Sequence, residues 1–410
     1  MLKSCIIVFE DENYHKFYPI TISRPTYDIL SGSKTNLERI KYHFSDFRIF
    51  TICRQYLSTS TVEGEFNKLI LINGSSVFRL SDLEFIKELK KNDTQTLYVK
   101  DGKLVAVVLF SKEIKELRDI CKDQSEIIKG SKRVEDVDIM TFSYIWEPII
   151  ENQRLIEGDF DEYFKDKKAN IGNAFVYGKE NIVCEDIIDG SGSIIDAREG
   201  PVIIGKGVEI RPFTYLKGPA FIGDRCMLVG GKITDGCSIG SGCRIGGEVE
   251  NTIIIGNTNK YHEGFIGHSY IGEWVNLGAL TTNSDLKNNY SEVSVKQNGT
   301  LIKTGNIKIG SFIGDHTKTG IGTLLNTGIN IGFSCNLFGG GLMMEKEIPS
   351  FAWGNDSLRR EFTLNNAIET AKIVLQRRGF LFDSYQLFEH IFNESKKQRK
   401  DWIKNGKRKN

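Results

Sequence analysis

The chain has 410 residues, a hydrophobic share of 40% and a formal net charge of +1. That length predicts two or three domains with ample cores, and the near-zero charge excludes a general electrostatic field for nucleic acid or a membrane surface. No apolar run approaches the roughly 18 residues that a membrane helix needs.

The first segment, to about Lys165, alternates strands and helices. Apolar, β-branched stretches at residues 6–9, 47–53, 69–72, 96–99 and 104–110 read as strands. The opening ten residues read as a buried strand rather than a leader. Ser81-Asp82-Leu83-Glu84 has the form of a capping box, opening a helix with Leu83, Phe85, Ile86 and Leu89 on its apolar face. A second helix is expected over 111–121, with Ile114, Leu117 and Ile120 on one stripe. Such alternation predicts a mainly parallel sheet covered by helices, with ligands beyond the carboxyl ends of its strands.

Two loops occupy that position. One covers residues 10–18 and runs into Ser23-Arg24-Pro25; the other is Asn73-Gly74-Ser75-Ser76. With Tyr144-Ile145-Trp146-Glu147 near the segment's end, they resemble sugar-1-phosphate nucleotidyltransferases of a divergent branch fused to hexapeptide β-helices. The resemblance implies an α/β nucleotidyltransferase-like domain in which Arg24, Asn73 and Gly74 contact substrate and Mg²⁺ serves nucleotidyl transfer. Two departures stand out. The family's Gly-rich phosphate loop is replaced by Glu10-Asp11-Glu12-Asn13, and its metal-binding aspartate by Ser75. The metal ligand therefore stays unassigned, with Asp11 and Glu12 as candidates, since Mg²⁺ takes oxygen ligands. Arg24 suits a bidentate phosphate contact, or else pins the turn.

A charged connector, residues 160–169, leads into a six-residue repeat. Ile204-Gly205, Ile210-Arg211, Leu216-Lys217 and Ile222-Gly223 follow at intervals of six; after a slip of one come Ile239-Gly240 and Ile245-Gly246. Ile313-Gly314, Thr319-Gly320, Leu325-Asn326 and Ile331-Gly332 keep the interval strictly. Thirty-two of the 41 glycines lie between Ile171 and Gly341, where scattered loops alone would not hold an aliphatic register. The pattern predicts a left-handed parallel β-helix of hexapeptide type. Each lead aliphatic points inward, and the residue after it stands at a corner where Gly or Asn accepts unusual backbone angles. Cys226, Cys237, Cys243 and Cys335 fall inside the repeat and read as reduced core thiols of a cytoplasmic protein. Residues 284–305 lose the register and read as a loop or hairpin thrown out from the coil.

Upstream of that interruption runs Asn259-Lys260-Tyr261-His262-Glu263-Gly264-Phe265-Ile266-Gly267-His268, continuing to Val275-Asn276-Leu277-Gly278-Ala279. This stretch looks like the acetyltransferase half of the bifunctional enzymes that make UDP-N-acetylglucosamine. The resemblance implies His262 as general base and Asn276 as its catalytic companion. It places Glu250 and Phe265 where the family's sugar-phosphate site has Lys and Tyr. Ala279, Asp315 and Phe333 fall at acyl-CoA positions, only the first with the expected small side chain. Acetyl-CoA or another acyl-CoA and a homotrimer are implied with them. The chemistry suits these residue types: a neutral imidazole accepts the proton of an attacking amine, and a side-chain amide bonds the developing oxyanion. His268 and His316 offer a zinc-binding alternative, although three-His ligand spacing is not evident.

Past Phe338-Gly339-Gly340-Gly341, Ser357 is expected to cap a helix carrying Leu358, Phe362 and Ile368, with Gly379 as its C-cap. A further helix is expected over 384–395, then a solvated, frayed tail whose last fifteen residues hold eight Lys/Arg. The domains expected are thus 1–165, 166–345 and a helical extension over 346–410. Sugar phosphate, nucleoside triphosphate and acyl-CoA are the expected partners, with no nucleic acid or membrane. Three alternatives stay open: an acyltransferase whose first domain only binds a ligand, a nucleotidyltransferase whose β-helix only trimerises, and a non-enzymatic scaffold.

Overall fold

A computed structural model describes residues 4–57, 66–110, 133–165 and 170–407. The helix expected over 111–121 and connector residues 166–169 lie outside them. The chain divides into two compact units. The first is Met1–Phe17, Arg24–Leu30 and Lys34–Tyr144; the second is Tyr18–Ser23, Ser31–Ser33 and Ile145–Asn410.

In the first unit the expected strands are present. Their sheet runs in the order Arg48–Ile52, Ser4–Phe9, Lys68–Asn73, Lys103–Leu109, Thr96–Lys100, Val134–Asp136. Residues alternate between two faces. Ile6, Val8, Ile70 and Ile72 join one apolar cluster, while Cys5, Ile7, Phe9, Leu69 and Leu71 join another. The sheet is mainly parallel as expected, with one reversed strand, Lys103–Leu109, that pairs antiparallel with both of its neighbours. Asp101 and Gly102 supply the reason: both have positive φ, 48° and 74°. That two-residue turn returns the chain antiparallel. The capping box expected at Ser81 and Glu84, however, does not form. Asp82 accepts from the Arg79 backbone N–H at 2.9 Å and from its guanidinium, and Glu84 pairs with Lys87 on the surface.

The second unit is a parallel β-solenoid of about ten turns between residues 175 and 354. One column shows how the repeat builds it. Ile204 pairs with Ile222, then Ile239, Ile254, Ile271, Ile313, Ile331 and Ile348, and every member is buried. Where three sides have six residues each, the step is 18, as from Ile204 to Ile222. The slip of one is a coil of 17, from Ile222 to Ile239. Each buried Ile contributes on the order of 1.5–3 kcal/mol, so the ladder supplies a large share of the unit's cohesion.

The glycines after the lead residues work differently from the expectation. Gly205, Gly223, Gly240 and Gly314 are not in the left-handed region; they are small because the next coil presses on them. A Cβ on Gly240 would lie 1.7 Å from the Ile255 carbonyl oxygen. Positive φ falls two residues later, at Arg225, Gly242, Asn257, Trp274, His316, Ser334 and Phe351. The interruption is a hairpin, Ser294–Gln297 with Thr300–Lys303. Cys226, Cys237, Cys243 and Cys335 are buried thiols in the coil's core, and burial pushes Cys237 and Cys335 up to about 12.

Helices pack on this unit at both its early and its late coils. Glu147–Asp159 packs on it: Ile156 meets Val183 and Ile203, and Asn152 Nδ2 donates to the Gly236 carbonyl at 2.7 Å. Beyond the coil, Ser357 does not cap a helix. The Asn355 side chain accepts from the Ser357 and Leu358 N–H groups, turning the chain so that Arg359–Glu361 pairs antiparallel with Ala352–Gly354. Thr363 caps the helix Leu364–Gln376 instead. Nor is the basic tail frayed over its described residues. Lys396–Lys407 is helical, Trp402 joins the solenoid core at 5% exposure, and Arg399 is buried against Glu361 at 2.8 Å. A solenoid's last coil exposes an unpaired core unless something covers it. The apolar Trp402-Ile403 pair within the basic run does so here.

Candidate functional site

In the first unit, the loops after the Ser4–Phe9 and Lys68–Asn73 strands meet. The Gly74 N–H donates to the Phe9 carbonyl at 2.8 Å. A Cβ on Gly74 would sit 2.9 Å from Tyr27 Cβ and 3.1 Å from that carbonyl, so glycine is required for close approach. Asn73 bridges the loops: its Nδ2 donates to Asp11 Oδ2 at 3.0 Å, and its Oδ1 accepts from Ser75 N–H and Oγ–H. Arg54 was missed in the sequence. Its guanidinium grips Glu10 at 2.8 Å, donates to the Arg24 carbonyl at 2.9 Å and lies 4.1 Å from the centre of the Tyr14 ring. Glu10 is pushed up by burial, an effect the Arg54 charge opposes. Arg24 itself sits beside Asp28, whose carboxyl burial raises while the Arg24 charge draws it back down. This donor set does not fit a protein-held Mg²⁺. Ser75 is a neutral hydroxyl spent on Asn73, both Asp11 oxygens accept hydrogen bonds from amides, and Glu12 is exposed in a short 3₁₀ turn.

In the solenoid, two successive coils carry the predicted acyl-transfer residues. Asn276 stands directly over Asn259 and accepts from its Nδ2 at 3.2 Å. Asn259 in turn accepts from Arg378 at 2.7 Å. With Asn276 Oδ1 engaged, its N–H₂ donors are the groups that suit an oxyanion. His262 is exposed at the corner after Asn259–Lys260, edge-on to Tyr261 at 5.2 Å. Lys260 holds this corner, donating to the Gly246 and His262 carbonyls, and burial lowers its ammonium to about 8. Ala279 lies half-buried, and its carbonyl accepts from Gly322.

Two of the positions read as acyl-CoA contacts are instead used internally. Asp315 is buried and accepts from Ser23 Oγ at 2.6 Å and from the Glu273 N–H at 2.7 Å. Phe333 is enclosed among Phe351, Phe388 and His316. A carboxylate consumed by neighbours and a ring within a packed cluster offer no open contact. Within one chain and among the described residues, His268 and His316 do not share a cluster of metal-ligating side chains. His316 stacks on Trp274 at 6.5 Å inside that aromatic cluster.

The coil brings a different set together. Glu250 ends the Glu248–Glu250 strand, Phe265 begins the strand stacked on it, and His268 and Asp285 follow one coil apart. His268 Nδ1 lies 2.7 Å from Asp285 Oδ2, and Lys308 Nζ lies 3.2 Å from Glu250 Oε1. Among the described residues, ligand atoms of Glu250, His268 and Asp285 all lie within 4.8 Å of one another. Burial pushes the Asp285 carboxyl up, but the His268 hydrogen bond, with the His268 and Lys308 charges, holds it below its ordinary value. Sequence reading singled out Glu250, Phe265 and His268 but missed Asp285. The signal was its 17-residue offset from His268, one coil length.

Comparison with known proteins agrees with the resemblance read from the sequence. Residues 6–168 match the family model described as a sugar nucleotidyl transferase. The chain is 34% identical over 157 residues to a bifunctional sugar-1-phosphate nucleotidylyltransferase/acetyltransferase of Sulfurisphaera tokodaii, covering 35% of this chain and 37% of that protein. It is 31% identical over 157 residues to a bifunctional protein GlmU of Methanococcus vannielii, covering 38% and 32%. The chain thus spans about a third of the length of these curated relatives.

Proposed function

We propose that this chain makes an activated sugar, joining a nucleotide to a sugar 1-phosphate in its first unit and acylating a sugar amine on its solenoid. The observation that carries the reading is the presence, in one chain, of a stretch matching a sugar nucleotidyl transferase and of a coil stacking Asn276 on Asn259 beside the His262 corner. In the acyl-transfer step the amine nitrogen attacks the thioester carbonyl of an acyl-CoA. His262 takes the amine proton as the N–C bond forms, the Asn276 amide donates to the oxyanion, and the C–S bond then breaks to release CoA. Glu250 occupies the place where the resemblance calls for a phosphate-binding lysine. A carboxylate paired with Lys308 does not supply that lysine's phosphate contact, which supports an acceptor other than glucosamine 1-phosphate.

For nucleotidyl transfer the sugar phosphate's oxygen attacks the α-phosphorus of the triphosphate and pyrophosphate leaves. Arg24 is the basic side chain assigned to the phosphates, and Mg²⁺ enters with the nucleotide. Assembly as a homotrimer is part of the proposal. Apolar side chains such as Phe175, Ile194 and Phe213 stand exposed on the solenoid, Phe213 at 90%. No helix among the described residues is long and apolar enough to cross a membrane, and we assign the protein to the cytoplasm. The test is incubation with panels of sugar 1-phosphates, nucleoside triphosphates and acyl-CoAs, followed by mass detection of products. A nucleotide sugar and an N-acylated sugar are expected. No product from any combination would leave the scaffold reading in its place.

A further inference from the structure

We propose that Glu250, His268 and Asp285 form a binding site for a borderline divalent metal ion such as Zn²⁺ on the side of the solenoid. One imidazole and two carboxylates are a nitrogen–oxygen donor set of the kind such ions take, and the three ligand atoms already lie within 4.8 Å of one another. Little movement is needed. Two ligands on a tetrahedral ion, each at about 2.0–2.1 Å, stand about 3.3 Å apart, against 2.7 Å now between His268 Nδ1 and Asp285 Oδ2.

The backbone fixes these residues. The His268 N–H donates to the Glu250 carbonyl at 3.0 Å, the Gly310 N–H to the His268 carbonyl at 2.9 Å, and the Ile309 N–H to the Asp285 carbonyl at 2.8 Å. Ligands carried on such stacked coils hold their geometry better than ligands on a free loop. Gly267 keeps the space open, since a Cβ there would lie 2.8 Å from Asp285 Oδ2.

Charge points the same way. Two carboxylates face one ammonium, Lys308, and one imidazole in a partly dry place; the His268 and Asp285 side chains are 13% and 14% exposed. Lys308 is the group an ion displaces: its side chain is 46% exposed and pairs with Glu250 at 3.2 Å. Three protein ligands leave a fourth position for water or a substrate oxygen, the arrangement of catalytic rather than structural zinc sites. The inference stands on this geometry and does not require the transferase reading.

The test uses the full chain, stripped with chelator and titrated with ZnCl₂ by calorimetry, with bound zinc counted by elemental analysis after desalting. One zinc per chain is expected. His268→Ala and Asp285→Asn should each weaken that binding at least tenfold, while circular dichroism of the metal-free variants matches the parent. Lys308→Met should tighten it several-fold, because the competing ammonium is gone. The proposal is overturned if the parent takes up no zinc, or if His268→Ala binds as tightly as the parent. An unchanged or weaker affinity in Lys308→Met also counts against it, since a fixed Glu250–Lys308 ion pair would then be the site's purpose.

Discussion

His268 and Asp285 sit one coil apart, 17 residues along the chain, with Nδ1 and Oδ2 at 2.7 Å. In the core the coils stack aliphatic on aliphatic, as Ile254 on Ile271. At this corner the same vertical spacing stacks an imidazole on a carboxylate. Where a coil is 17 residues long, as from Ile254 to Ile271, side chains with that offset stand roughly one strand spacing, about 4.8 Å, apart. Chemistry is written into the solenoid by exchanging a few corner residues without disturbing the ladder beneath them.

If His262 removes the amine proton, His262→Ala should slow acyl transfer on the order of 10²–10⁴-fold. Asn276→Ala should slow it on the order of 10²-fold. The measurement is CoA release with a confirmed acceptor, on protein whose oligomeric state is unchanged. A rate for His262→Ala within twofold of the parent would move the base elsewhere.

Arg24→Ala should abolish nucleotide-sugar formation while leaving the circular dichroism spectrum and oligomer intact. Because the Arg24 charge also acts on Asp28, Arg24→Lys separates the two roles. Lysine keeps the charge beside Asp28 but loses the bidentate fork. Turnover retained in both variants would make Arg24 a pin for its turn and nothing more.

Trp402→Ala removes the ring that closes the far end of the solenoid core, and should cost about 3–5 kcal/mol in the unfolding of that region. Hydrogen exchange should show the loss concentrated in the last coils, near Ile348 and Ala352, which share its cluster. Loss spread evenly over all coils, or none, would contradict a capping role.

Lys318 gives a pH dependence. Its Nζ is enclosed, although part of the residue reaches solvent, and donates to the Trp274 and His316 carbonyls at 2.8 and 2.9 Å. Burial lowers the ammonium from its ordinary 10.5 to about 7. Between those values the unfolded chain binds a proton that the folded chain does not, so stability rises with pH across that window. Below about pH 7 both states are protonated and the slope vanishes. Thermal midpoints of the parent should therefore climb from pH 7 to pH 9, and Lys318→Met should flatten that climb. An equal slope in both proteins would assign it to other groups.

The six-residue period was decisive in the sequence because it is a local property. Inward aliphatics and close-packed glycines must recur wherever a coil repeats, so Ile204 to Ile222 and Ile313 to Ile331 announce a solenoid before any contact is known. The strand positions of the first unit were legible for the same reason. The sheet's one reversed strand was readable from Asp101-Gly102, a turn signal passed over. What only the tertiary structure decided depends on residues far apart in the chain. Phe333 and Asp315 aligned with ligand positions, yet the aromatic cluster and Ser23 had already claimed them. Trp402 looked like part of a solvated basic tail until the open end of the coil supplied its partner. Periodicity fixes which way a side chain points, but which neighbour it meets is set by coil length and by where the chain returns. That is why the meeting of Glu250, His268 and Asp285 appears only once the coils are stacked.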